Sequence, residues 1–426
     1  MHIPVPYSAK IPERAILSFL LATAILVPIT IWNRYVFLET NLPLLLILLI
    51  SAPFIYGFDR VPRDIVFPGI SMSFFLFIVY AWFRLDSRLD FNLSSVDPSG
   101  IRPGLAYILD LIMFYFLFVI SAVLFYNRPR LSLFLWLLIC GYVIAYIVRN
   151  SFDITGLQSG FNLSSGIVIL TLLPFVFLMH TDRNRMPLIP SVLLFFCILW
   201  VALIGARTAV ASLLLFYIAI RAWPIITRSR FIYFATFWSM ILSIAGVTVL
   251  YVLYGINNPA DPLLAESLVE SSNVGILQKS IGTRVEIWIH LAFLISQQPI
   301  FGYGTDHGTE VVNPVWSIVF TFNRDNLSAH SLYFELLYRL GAVGLLGFIL
   351  IMFSIWRVFW SGREQWAVQV AGASLLALLF YSTTGGFMVF NDLQLRSGFV
   401  WIILGIGAGA CLRGRKDARI RSPARS

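Results

Sequence analysis

Residues 187–220 read PLIPSVLLFFCILWVALIGARTAVASLLLFYIAI, an almost continuous apolar run that is broken only at Gly205-Ala206-Arg207-Thr208. A helix needs about 20 apolar residues to cross the hydrocarbon core of a bilayer. The run is too long for one straight helix and short for two, so it decides the number of spans. If the chain crosses the membrane twice here, the arginines before and after the run share one side, as positive-inside topology requires. These are Arg183, Arg185, Arg221, Arg228 and Arg230.

The composition is that of a membrane protein. Hydrophobic residues make up 59% of the 426 residues and charged residues only 12%, and the mean hydropathy is +0.84. Soluble proteins carry about 25% charged residues. The net charge of +9 resides mainly in short segments between apolar runs, so it indicates membrane topology and not a nucleic-acid-binding surface. The three cysteines lie inside apolar runs, where we expect core packing instead of disulfides or metal ligands.

The apolar runs predict an all-α polytopic membrane protein with twelve transmembrane helices. The predicted spans are 14–32, 42–57, 64–83, 104–126, 131–149, 163–180, 187–205, 207–221, 231–254, 331–356, 367–390 and 394–411. The chain then comprises nine spans within 1–254, a large loop at 255–330, three spans within 331–411 and a basic tail at 412–426. Most basic residues fall on the side of the two termini, which predicts cytoplasmic termini and an outer 255–330 loop.

The large outer loop carries charged residues that are costly to keep beside a membrane. Charged groups near hydrocarbon cost about 2.5–3.5 kcal/mol, so their presence there points to function. After an irregular start, positions 276–297 predict an amphipathic helix that we expect to lie on the bilayer surface. Arg284 lies on this helix, and His330 ends the loop directly before the next span. Together they indicate a site for an anionic, membrane-borne substrate.

An ordered set of short motifs runs through this region. It comprises Gly282-Thr283-Arg284, Trp288, Gln298-Pro299-Ile300-Phe301-Gly302-Tyr303-Gly304, Ala329-His330-Ser331, Gly341 and Gly344. The set resembles the C-terminal motif region of the bacterial O-antigen ligase and O-antigen polymerase superfamily. In that pattern an Arg…Trp segment precedes a Pro-x-x-Gly-x-Gly turn, and a His-Asn or His-Ser pair opens a helix that carries Gly-x-x-Gly. The twelve-span layout with one late outer loop also fits the family.

The resemblance implies a lipid-sugar-dependent glycosyltransferase of the fold type called GT-C, in the bacterial inner membrane. Its donor would be an O-antigen chain on undecaprenyl pyrophosphate, presented at the periplasmic face among the membrane lipids. A ligase moves that glycan to lipid A–core, whereas a polymerase moves it to another lipid-linked repeat. We favour the ligase, because a basic outer face suits a phosphorylated lipid acceptor. The alternatives within the superfamily are the repeat polymerase and another periplasmic O-oligosaccharyltransferase.

Three residues would carry the expected chemistry. Arg207 and Arg284 would hold the pyrophosphate, because guanidinium groups match phosphate oxygens bidentately. His330 would accept the proton of the acceptor hydroxyl, since a reference pKa of about 6.5 suits a base near neutral pH. Attack of that hydroxyl on the anomeric carbon would give inversion. The structural alternatives are a snorkelling arginine at a helix end, a solvated arginine on the amphipathic helix and a helix-capping histidine.

Five further residues are expected to contact substrate. Arg149, at the outer end of the fifth span, is a third candidate phosphate contact, with a simple interfacial anchor as the alternative. Gly302 and Gly304 predict a tight turn near the ligand, and Tyr303 between them is placed to stack on a sugar or to sit at the membrane interface. Arg339 is a candidate contact to the acceptor, with a structural role as the alternative.

Arg339 also marks a departure from the family pattern. Many relatives have an acidic residue shortly before the Gly-x-x-Gly, where this chain has Tyr338-Arg339-Leu340-Gly341. Glu335 lies one helical turn earlier and is the available substitute. The role of that acidic position therefore stays open at this point.

We expect transfer without a metal or other cofactor. Many GT-C enzymes hold a metal with an acidic pair in the first outer loop, whereas positions 32–41 here contain Glu39 and no such pair. Asp306, His307 and Glu310 follow the glycine turn and are the alternative cation ligands. Two arginines for the leaving group make a metal unnecessary.

A transporter or lipid flippase is the competing interpretation from another class of protein. Transporters place charges near the bilayer midplane, on paired half-helices of an internal repeat. The candidate residues of this chain lie instead at the outer edge, and its two halves show no repeat. The sequence therefore favours an enzyme.

Overall fold

The computed structural model of the protein describes residues 68–85, 103–130, 132–133, 136, 173–179, 188–203, 207–257, 288, 291–305, 331–383 and 395–421. Within these ranges its regular secondary structure is entirely helical, with eight helices of 16 or more residues and no strand. They are α1 (Pro68–Phe83), α2 (Pro103–Asn127), α3 (Leu188–Leu203), α4 (Arg207–Ile226), α5 (Arg230–Asn257), α6 (Leu332–Trp360), α7 (Trp366–Tyr381) and α8 (Leu395–Arg421).

These helices agree with an α-helical membrane protein. Four stretches of the described residues are long and apolar enough to cross a membrane: Asp110–Asn127, Arg207–Ile226, Arg230–Leu250 and Leu332–Trp360. The predicted spans 14–32 and 42–57 lie outside the described residues, and 131–149 and 163–180 are described only in part. The total of twelve spans stays a prediction.

The long apolar run at 187–220 forms two helices, as charge indicated. Helix α3 ends at Leu203 and α4 begins at Arg207, and the two pack against each other. Helix α4 continues to Ile226, past the predicted end at 221, with Pro224 in its last turn. Helix α8 likewise continues beyond 411 to Arg421, because the arginine- and lysine-rich segment that follows contains good helix formers.

Two boundaries differ from the sequence prediction in ways that shape the site. Helix α7 ends at Tyr381, nine residues before the predicted 390, and residues 382–383 form a turn. The span predicted at 331–356 is not one straight helix, because Gly341 has φ 64° and ψ −165° and breaks α6. Residues 332–340 therefore form a separate helical segment in front of the break.

Small residues bring the core helices close together. Gly405 and Gly409 on α8 face the backbone of α2, at the carbonyls of Phe118 and Ala122. Close backbone approach through small residues is a common way for membrane helices to pack, since lipid provides no hydrophobic driving force between them. On the other side, Gly372 of α7 gives room to the indole of a tryptophan on α4.

The bundle has two distinct ends. At one end, which we call the turn end, residues 361–365 join α6 to α7, and Trp223 near the end of α4 donates its indole N–H to the Arg363 carbonyl at 2.8 Å. At the other, which we call the site end, the Leu332 N–H at the start of α6 donates to the Ser382 carbonyl just after α7 at 3.0 Å. The candidate residues that the structure describes, Arg207, Gly302, Tyr303, Gly304 and Arg339, lie at the site end.

Candidate active site

A glycine-rich turn fills the break in α6. We call residues 299–305 the glycine turn. The Tyr303 N–H donates to the Tyr338 carbonyl and the Gly304 N–H to the Arg339 carbonyl, each at 2.8 Å. Beyond the break, the Ala342 N–H donates to the Pro299 carbonyl at 2.8 Å. The turn thus satisfies backbone groups that the broken helix leaves without intrahelical partners.

Glycine is required on both sides of this contact. Gly302 and Gly304 have φ of 65° and 112°, so the tight turn that the sequence predicted is present. A Cβ on Gly302 would lie 2.6 Å from the Gly341 nitrogen, and a Cβ on Gly341 would collide with the Ile300 carbonyl. Positive φ and close backbone approach both exclude larger residues. The Pro-x-x-Gly-x-Gly motif and the Gly-x-x-Gly motif therefore form one backbone unit.

Tyr303 anchors the turn to the helical segment that precedes it. Its ring stacks on Tyr338 with centroids 5.0 Å apart, and its hydroxyl lies 3.1 Å from both the Leu294 carbonyl and Gln297 Oε1, either of which can accept its single proton. Burial raises the pKa of the Tyr303 phenol above its usual value, because the charged form would be desolvated. The structure thus gives Tyr303 a structural contact on one ring face.

The end of the predicted amphipathic helix packs on protein. Position 288 and residues 291–297 are helical, and Trp288, Leu291 and Ile295 are buried at helical spacing. Trp288 stacks on Phe334 of α6 with ring centroids 5.7 Å apart and planes 8° apart. In this part of the segment, the apolar face that was expected to lie on the bilayer contacts α6 instead. Stacking of the Trp288 and Phe334 rings adds to their burial, which favours packing on α6 over contact with the bilayer.

Arg339 and Glu335 form a buried ion pair. Arg339 Nη2 lies 3.2 Å from Glu335 Oε1, and the two side chains are only 13% and 5% exposed. Arg339 also donates from Nη1 to the Thr305 carbonyl at 3.1 Å, and its guanidinium lies over the Tyr107 ring at 5.9 Å. Glu335 thus compensates the arginine that stands near the family's acidic position. Arg339, expected to contact the acceptor, is held within the protein by these three partners.

Arg84 at the end of α1 is a site residue that sequence reasoning missed. Its Nη2 donates to the Gly302 carbonyl at 2.6 Å, and its own carbonyl accepts the Thr305 N–H at 3.1 Å. One turn earlier on α1, the Tyr80 hydroxyl donates to the Leu340 carbonyl at 2.8 Å. In the sequence, Arg84 directly follows the span predicted at 64–83. The one sequence feature that could have pointed to Arg84 as a site residue is that it is the first cation after an apolar span.

Arg207 lies at the site end and is exposed. It is the first residue of α4, whose far end is fixed at the turn end by Trp223. Sixteen helical residues span about 24 Å, which carries Arg207 to the opposite end of the bundle. Its side chain and the first N–H groups of α4 are both suited to an anion.

The remaining candidates fall outside the described residues: His330, Arg284, Arg149, Asp306, His307 and Glu310. The chain resumes at Ser331, which is 1% exposed and has extended backbone as the N-cap of α6. Trp288, four residues after Arg284, contacts Phe334, four residues after His330. Within the described part of the chain no group of three His, Cys, Asp or Glu side chains has metal-binding geometry.

Comparison with known proteins identifies this region. Residues 191–349, somewhat more than a third of the chain, match the protein family described as O-Antigen ligase. The matched segment includes Arg207, Arg284, His330, the glycine turn and the break at Gly341. No curated protein matches the chain. The family match confirms the resemblance to the O-antigen ligase and polymerase superfamily, whose members are membrane enzymes.

Proposed function

We propose that this protein is an O-antigen ligase, which moves O-antigen polysaccharide from undecaprenyl pyrophosphate to lipid A–core at the periplasmic face of the inner membrane. The observation that carries the proposal is the family match over residues 191–349. That segment holds the proposed catalytic residues together with the glycine turn that clasps α6. A GT-C-type bundle with cytoplasmic termini would place this site at the outer surface.

Arg207 and Arg284 would stabilise the leaving group. Negative charge develops on the undecaprenyl pyrophosphate as the bond from its oxygen to the anomeric carbon breaks. Fixed cations that face this charge lower the barrier, because they need no reorganisation at the moment of reaction. The exposed position of Arg207 at the N-terminus of α4 supports this role. Two such arginines supply the charge compensation for a metal-independent reaction.

His330 would act as the general base. A ring nitrogen accepts the proton of the acceptor hydroxyl while that oxygen attacks the anomeric carbon from the face opposite the pyrophosphate, with inversion. The residues that follow His330 are well fixed, since Ser331 is buried and the Leu332 N–H donates to the Ser382 carbonyl at 3.0 Å. Transfer requires a precisely placed base, and this fixed start of α6 would favour one at position 330.

Arg149 and Tyr303 complete the proposal as substrate contacts, and Arg339 as a residue that supports them. Arg149 would bind a second phosphate oxygen. Tyr303, which is half-buried between the buried Gly302 and Gly304, would border the sugar. Arg339 would act on the acceptor through the turn that it holds, since Glu335 and Thr305 already engage its guanidinium.

Lipopolysaccharide profiles of a deletion strain distinguish the ligase from the polymerase. A ligase deletion leaves free core and accumulates lipid-linked polymer. A polymerase deletion gives core capped by a single repeat, and that result would replace the ligase proposal by its alternative within the superfamily. A normal profile would refute both.

Alanine variants test the catalytic assignments. We expect His330→Ala, Arg207→Ala and Arg284→Ala each to reduce transfer by about 10²-fold or more, because general bases alone contribute about 10²–10⁴-fold. The matched control is Arg221→Ala, which removes an exposed arginine of α4 near the turn end. Membrane accumulation is measured by immunoblot for every variant. Near-normal transfer by His330→Ala would remove the base assignment.

A further inference from the structure

Arg84 lies outside the matched segment, yet both its guanidinium and its carbonyl hydrogen-bond to the glycine turn. The guanidinium donates to the Gly302 carbonyl at 2.6 Å, and the Arg84 carbonyl accepts the Thr305 N–H at 3.1 Å. One residue thus holds both arms of the turn, one with its side chain and the other with its main chain. Hydrogen bonds from a guanidinium to a carbonyl are shorter and stronger than neutral ones.

Tyr80 reinforces the same contact from one helical turn earlier. Its hydroxyl donates to the Leu340 carbonyl at 2.8 Å and lies 3.3 Å from the Phe301 carbonyl. Residues four apart share a face of a helix. The face of α1 that carries Tyr80 and Arg84 therefore joins the glycine turn to the last residue before the break at Gly341.

The turn connects the two segments that carry the proposed catalytic residues. On one side of it, the helical residues 291–297 continue from the region of Arg284, and on the other side α6 continues from His330. A shift of the turn against α6 would change the spacing between the pyrophosphate contact and the base. Misplacement by about 1 Å can reduce an enzymatic rate about 10²-fold.

We propose that Arg84 is a positioning residue for the transfer reaction, which clamps the glycine turn to α6 from a helix outside the family-matched segment. This inference rests on the proposed glycosyl transfer. Arg84 itself touches no reacting atom. Its effect reaches the chemistry through the Gly302 carbonyl and the Thr305 N–H.

The experiment uses the full chain in lipid nanodiscs and compares Arg84→Ala, Arg84→Lys and Tyr80→Phe with the wild type. Steady-state transfer gives kcat and KM, and hydrogen exchange with mass spectrometry gives the protection of peptides that cover 299–305. For Arg84→Ala we expect kcat to fall about tenfold, KM for the lipid-linked donor to stay within about twofold, and exchange at 299–305 to accelerate. Arg84→Lys restores part of kcat, because it keeps a charged donor with fewer hydrogen-bonding groups.

Arg221→Ala serves as the matched control, because Arg221 contacts only Tyr217 of its own helix among the described residues. It is expected to leave kcat and exchange at 299–305 unchanged. If Arg84→Ala fails to accumulate, Tyr80→Phe tests the same contact, since it removes one hydroxyl and keeps the ring. Faster exchange with lower kcat in that variant supports the clamp.

Two results would overturn the inference: unchanged exchange at 299–305 in the variants, or faster exchange with a wild-type kcat. A wild-type protein that transfers no glycan would refute the proposed function instead. The exchange comparison needs no substrate, so it still decides whether Arg84 clamps the turn.

Discussion

Two arginines at the turn end of the bundle, Arg221 and Arg363, contact residues three or four positions away in sequence, whereas Arg84 and Arg339 at the site end contact distant parts of the chain. At the turn end, Arg363 lies over the Trp360 ring at 4.1 Å, three residues away in sequence. At the site end, Arg84 reaches Gly302, 218 positions away. Arg339 likewise reaches Thr305, 34 positions away. A count of cations therefore indicates orientation in the membrane but does not locate a site.

The energetic consequences differ in the same way. A cation that contacts only residues near it in sequence makes a local interaction. When that side chain is removed, water or lipid headgroups can take its place. An arginine that holds buried backbone carbonyls or a buried carboxylate leaves those groups without compensation when it is removed. We therefore expect substitutions at the site end to cost more stability than substitutions at the turn end.

The largest stability effect is expected for Arg339→Ala. This change removes the Arg339 guanidinium from beside the Glu335 carboxylate, which is 5% exposed. Removing one member of a buried pair costs about 3–5 kcal/mol, because the other charge stays buried. Thermal unfolding of the full chain in detergent measures the loss. Arg339→Ala combined with Glu335→Gln should recover part of it, and a double variant as unstable as the single one would contradict this account.

Gly341→Ala is expected to have an intermediate effect. A non-glycine residue at φ 64° costs about 1–3 kcal/mol, and its Cβ would also collide with the Ile300 carbonyl. The change should lower the unfolding temperature and loosen the glycine turn. Gly246→Ala in α5 is the matched control, since a Cβ there meets nothing within 4 Å. In a helix interior that control should gain about 0.5–1 kcal/mol. If the two alanine variants changed the unfolding temperature equally, the result would argue against a helix break at Gly341.

Much of the fold was predictable because apolar runs and charge asymmetry determine membrane helices directly. For each of the eight described helices, the predicted span begins within four residues of the observed start. The largest difference is that between the predicted 64 and Pro68, and most of the others are one residue, as between 104 and Pro103. The division of 187–220 at Arg207 followed from charge alone. The break in α6 was not predictable in this way, because hydropathy stays high across Gly341. Hydrogen bonds from residues 299–305 stabilise that break, and no sequence pattern around Gly341 predicts those bonds.

The site was predictable where its chemistry is local. Two glycines within three residues predicted the tight turn that the backbone adopts. The ion pair between Glu335 and Arg339 also had a local signal, since opposite charges four residues apart share a helix face. The hydrogen bond from Arg84 to the Gly302 carbonyl had no local sequence signal, because the two residues are more than 200 positions apart. His330 and Arg284 stay predictions that rest on motif and chemistry.

The smallest effect is expected at the turn end, for Arg363→Ala. The change removes a guanidinium that lies 4.1 Å from the Trp360 ring centroid, and cation–π contacts contribute about 0.5–1 kcal/mol at exposed sites. The Arg363 carbonyl, which accepts the Trp223 indole N–H at 2.8 Å, stays in place because it belongs to the backbone. Unfolding should therefore shift slightly and transfer should stay within about twofold of the wild type. A loss of transfer as large as that expected for Arg84→Ala would mean that turn-end cations also act at long range, and the contrast between the two ends would no longer hold.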